Sequence, residues 1–82
     1  MDEAGRIDRQ IRVVLIVFRA EKRRLQPLIR SGDARQEQLE NLRERSLELL
    51  DAERAKLDGK AAWHPRLLRR LTEARAEISG TD

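Results

Sequence analysis

Six carboxylates, Glu37, Glu40, Glu44, Glu48, Asp51 and Asp58, recur in this chain at spacings of 3, 4, 4, 3 and 7. On an ideal helix they project within about 80° of one another. Carboxylates on one face can hold metal when a bundle core also supplies Glu-x-x-His motifs. The chain has a single histidine, His64, and position 61, three before it, is Ala. No metal centre or cofactor is therefore expected. Glu37, Glu40, Glu44, Glu48 and Asp51 are read as a solvated face, or as a stripe that docks a basic partner.

Positive charge gathers in two places, Lys22, Arg23, Arg24 and Arg30, then Arg66, Arg69 and Arg70. Such side chains can contact phosphates or an acidic partner. Base stacking has little to work with, because the chain holds one Trp, one Phe and no Tyr. Zinc-finger, Gly-rich phosphate-loop and helix-turn-helix signatures are absent, and Gly59-Lys60 lacks the preceding strand and spaced glycine of a phosphate loop. The hydroxyls that could act as nucleophiles are Ser31, Ser46, Thr72, Ser79 and Thr81. One histidine serves them all, and no catalytic motif surrounds any of them. The chain is accordingly read as no enzyme. Trp63 reads as a hydrophobic anchor for the core, and His64 as a partly exposed loop residue.

Whatever these residues do, a small frame must position them. Eighty-two residues make one domain, residues 1–82. A chain this short buries only about 60% of the surface its unfolded form exposes, so it needs a supplement. It has no cysteine, which removes disulfides and thiolate metal sites. Oligomerisation is what remains. The acidic N-terminus, MDEAGRIDRQ, does not read as a signal peptide, and a cytoplasmic setting fits.

Gly and Pro divide the chain into three segments of helical periodicity. Helix 1 is expected over about 6–29, with a kink or end near Pro27. In it Ile7, Ile11, Val14, Phe18, Leu25 and Leu28 form a coiled-coil-like seam. Helix 2 is expected over about 33–58, with Asp33 as N-cap, Gln36 completing a variant capping box, and Gly59 as a stop. Leu39, Leu42, Leu49, Leu50 and Leu57 share its apolar face with Ser46 and Glu53. Helix 3 is expected over about 65–79, with Pro65 at its first position and Leu67, Leu68, Leu71, Ala74 and Ile78 as its stripe.

The stretch RVVLIVFR, residues 12–19, is apolar between its two arginines. Six residues are far fewer than the ~20 a membrane span needs. Strand alternation is missing, and the helical phase of Ile7 and Ile11 continues through to Leu25. Val14 and Phe18 face the chain's own core, with Val17 close beside them. Val13, Ile16 and Ala20 lie roughly opposite on an ideal helix. A helix apolar almost all round is covered almost all round. A second subunit is thus expected to cover Val13, Ile16 and Ala20, with Arg12 and Arg19 flanking the contact.

The sequence therefore predicts an all-α fold: an antiparallel hairpin of two long helices plus a shorter third, assembling into an oligomeric bundle, most simply a homodimer. The function expected is a non-catalytic protein-interaction or assembly module, whose partner is itself or another protein. The rivals are a nucleic-acid-binding protein using its arginines and, behind that, a small helical enzyme using them electrostatically. Net charge is +3, but residues 6–30 carry eight Lys/Arg against two acids, whereas residues 33–58 carry five against eight. A chain so divided can satisfy its charge internally. Any binding to duplex DNA should be weak, non-specific and lost by ~200 mM salt. A gel shift that survives that salt would promote the nucleic-acid reading.

Overall fold

In a computed structural model that describes residues 3–57 and 65–80, the chain forms three α-helices: α1 (Glu3–Ser31), α2 (Gln36–Lys56) and α3 (Pro65–Ile78). The expected roles of Asp58, Gly59, Trp63, His64 and Thr81 fall outside the described residues.

α1 continues past Pro27, where a kink or end was expected, so the proline does not end the helix. Proline there removes the amide that would bond the Arg23 carbonyl. The helix nonetheless gains one more turn by closing well. The Gly32 amide donates to the Ile29 carbonyl at 3.2 Å and the Asp33 amide to the Leu28 carbonyl at 2.8 Å. Gly32 has φ +84°, a conformation that costs glycine nothing, so this is a Schellman ending.

That closure displaces the start of α2. Asp33 does not cap it. Its amide is committed to Leu28, and its carboxylate lies 2.8 Å from the Ser31 hydroxyl. Arg35 takes the N-cap position in extended conformation, and its amide donates to the Gln38 side chain at 2.8 Å. Half of a capping box is kept, two residues further on than expected: the Gln38 side chain accepts from the Arg35 amide, while the Gln38 amide donates to the Arg35 backbone carbonyl at 2.9 Å.

All three pairs of helices pack on one another. Along α1, Glu21, Arg24 and Leu25 adjoin Gln38, Asn41 and Leu42, whereas Val13, Val14 and Val17 adjoin Ser46, Leu49 and Glu53. α2 therefore returns along α1. α3 runs in the same sense as α1, because Arg70 pairs with Asp8 and Glu77 with Arg19. The core combines Ile7, Ile11, Val14 and Phe18 of α1 with Leu50 and Leu57, and with Leu67, Leu71, Ala74 and Ile78. With 14 residues, α3 spans about 21 Å, half the length of α1. Leu25 and Leu39 are buried outside the main cluster, in the half where α1 meets α2 alone.

Two core assignments need correction. Val17 and Leu49, placed by the sequence on inward faces, are 51% and 52% exposed. α3 is the cause. It docks on the Leu15 side of α1 and the Leu47 side of α2, and both leucines pack against the core. The buried arc of each long helix is thereby turned away from Val17 and Leu49.

Replacing exposed Pro27 by Ala restores a helical amide and should stabilise the fold by up to about 3 kcal/mol in urea denaturation. A loss of stability would show that the proline is required for packing at the turn.

Candidate interaction surface

The face of the α1–α2 pair turned away from α3 is open. Val13, Ile16, Val17 and Leu49 are 45%, 57%, 51% and 52% exposed there, the four large apolar residues left in solvent among those described. Val13, Val17, Leu49 and Ala52 line a groove of about 400 Å³. Burying a large aliphatic side chain fully is worth roughly 1.5–3 kcal/mol, so half-exposed side chains in contiguity are a substantial unused contact. Helix periodicity explains the patch. α1 carries more apolar positions around its middle turns than its two neighbours can cover.

The groove has a polar end. Glu53 is 7% exposed on its floor, and Lys56 Nζ donates to its Oε1 at 3.2 Å. Its Oε2 lies 3.0 Å from the same ammonium but accepts no hydrogen bond. Ser46 is also buried along this line. These two positions, expected on the inner face of α2, are where the α1–α2 contact is polar.

Of the residues expected at a subunit contact, Val13, Ile16 and Ala20 are exposed on the open side. Arg12 and Arg19 are engaged within the chain. Arg12 reaches Asp8 at 3.1 Å, one turn back on α1. Arg19 grips Glu77 of α3 with two hydrogen bonds, of 2.6 and 2.7 Å. Sequence reasoning missed Val17, Leu49 and Ala52. The signal was present in the charges of α3, which mark the side of α1 it takes.

The structure separates the two basic groups. Lys22, Arg23, Arg24 and Arg30 lie on the half of α1 beyond α3's far end, and Arg66, Arg69 and Arg70 lie near Asp8. Asp8 and Arg23 are about 20 Å apart along the helix. Several of these cations are already satisfied: Arg24 pairs with Glu21 at 2.9 Å, Arg70 with Asp8, and Lys22 Nζ sits 5.9 Å from the Phe18 ring centroid. On the acidic stripe Glu37, Glu40, Glu44 and Glu48 are exposed, and Asp51 accepts from Arg75 of α3 at 2.8 Å. Among the described residues no group of three His, Cys, Asp or Glu could hold a metal ion. The Thr72 and Ser79 hydroxyls donate to the Leu68 and Arg75 carbonyls of their own helix. Among the described residues no helix is long and apolar enough to cross a membrane.

No family model, curated protein or solved structure matches this chain.

The Arg19–Glu77 pair joins α1 to α3 and leaves a pH signature. Its hydrogen bonds hold the Glu77 carboxyl below its ordinary value of 4.5 and raise Arg19. The folded state therefore binds its proton less readily than the unfolded chain. The pair's contribution is complete above pH 4.5 and disappears as pH falls through the lower, folded value. Glu77→Gln should weaken the fold at pH 7, and its stability should approach that of the wild type at the acid end. Denaturation series at several pH values read this directly. Equal losses at pH 7 and at the acid end would mean the pair carries no linkage.

Proposed function

We propose that this chain is a non-catalytic assembly module: an α1–α2 hairpin, buttressed by α3, that self-associates as a homodimer through its open apolar face. One observation carries the reading. Val13, Ile16, Val17 and Leu49 stand about half exposed together on the side that α3 leaves bare. Scattered single leucines on a surface need no explanation, but a contiguous apolar strip on a small domain marks a place of contact. Small size supports the same conclusion, since a chain with no cysteine gains stability most readily by burying more surface. The hydroxyls bonded to their own helix and the arginines spent on intrachain carboxylates favour interaction over catalysis.

Ile16 is the residue on which to test this. It is 57% exposed, so a charge there leaves the chain's own core intact. Light scattering coupled to size exclusion should give twice the chain mass for the wild type and a single chain for Ile16→Glu, with unchanged helical circular dichroism. A wild type that stays monomeric at high concentration would overturn the reading, and so would a well-folded Ile16→Glu of undiminished mass.

A further inference from the structure

Resting on that self-association, we infer that the two copies meet about a twofold axis parallel to the bundle, so that α1 of each chain packs on α2 of the other. A twofold contact presents the same patch from both sides, which leaves the direction of the axis to be settled. Charge at the two margins of the patch settles it. Beside Ile16, around the outside of α1, come exposed Arg9 and Arg23, within about 40° on an ideal helix, with Arg12 turned back to Asp8. Beyond Leu49 and Ala52, around the outside of α2, come exposed Glu37, Glu44 and Glu48, within about 140°. One margin is basic and the other acidic.

An axis across the helices would lay α1 on α1 and α2 on α2. Arginines would then face arginines and glutamates face glutamates, which disfavours that pairing. An axis along the helices lays each basic margin on the other copy's acidic one. It also preserves height, so a residue of α1 meets in the second copy the level of α2 that it adjoins in its own. Ile16 then meets Leu49, and Val13 meets Ala52. Arg23 comes within about one helical turn of Glu44, a distance an arginine spans. Two cations stand on the α2 margin as well. Lys56 is held by Glu53, and Arg45 shares one hollow with Glu21 and another with Glu44 and Glu48, so the margin stays acidic, with the three carboxylates Glu37, Glu44 and Glu48 against the one cation Arg45. The remaining oddity of the groove fits this arrangement. Glu53 Oε2, buried without a hydrogen bond, lies at the level reached by Arg9 of the second copy, which brings the missing donor.

The native chain has no cysteine, so introduced thiols report geometry without background. Ile16→Cys and Leu49→Cys, both at exposed positions, are to be mixed and oxidised. The expected product is the mixed disulfide, with little homodisulfide from Ile16→Cys alone, because the two α1 helices lie diagonally apart. Efficient self-linking of Ile16→Cys, in a protein that light scattering shows to be dimeric, overturns the axis and leaves the self-association standing. A monomeric wild type overturns both. A charge exchange gives an independent reading. Arg23→Glu should weaken dimerisation by about tenfold, since symmetry makes the contact twice. Adding Glu44→Arg to the same chain should restore it. A double variant no tighter than the single one contradicts the pairing.

Discussion

One apolar stripe on α1, from Ile7 through Ile11, Val14 and Phe18, has to serve two helices at once. Neither α2 nor α3 has another large apolar surface to turn to. α2 in particular offers Ser46 and Glu53 among its buried positions, so it cannot form a dry contact with α1 unaided. The third helix closes the core by bringing Leu67, Leu71, Ala74 and Ile78 to the same stripe. Once it docks on the Leu15 side, the opposite flank of α1 is left over. The open face is thus a by-product of how the core is completed.

The direction of α3 agrees with its charges. Arg70 on Asp8, Glu77 on Arg19 and Arg75 on Asp51 form an ordered set along its length. Turning α3 end for end would carry Glu77 toward Asp8 and Arg70 toward Arg19. Each exposed pair contributes little to stability. Like-charge contacts add up along the interface, however, so the set discriminates between orientations better than it stabilises one. The same division of labour appears between the margins of the open face, where apolar residues supply contact and charges supply direction.

The three helices are legible in the sequence, because their apolar positions keep a 3.6-residue period and Gly and Pro separate them. The ends of the helices are less legible. Asp33 looks like an N-cap by residue type, but the closing of α1 claims its amide and carboxylate first. Pro27 looks like a stop, but the Schellman turn one step later outweighs the single lost hydrogen bond. Facing was legible where one neighbour decides it and not where two compete. Val13 and Ile16 point away from every core seam in the sequence and are exposed. Val17 and Leu49 sit at the border of the inward arc, and only the side taken by α3 determines their exposure. Arg12 and Arg19 flank RVVLIVFR in sequence, but their carboxylate partners, one turn back and on α3, draw them from the patch.

The helical state of VVLIVF has one more consequence. Six residues rich in β-branched side chains, uncharged and free of Pro and Gly, have the composition of a cross-β segment. Inside α1 every amide of this hexapeptide is committed along the helix, and none can pair with another chain. The arginines at its two ends act as gatekeepers, since charge flanking such a segment opposes its stacking. One of them is anchored to α3 through Glu77. Detaching α3 therefore does more than loosen a bundle. It frees Arg19, uncovers Phe18 and removes a restraint on the segment of this chain best suited to form amyloid-like fibres.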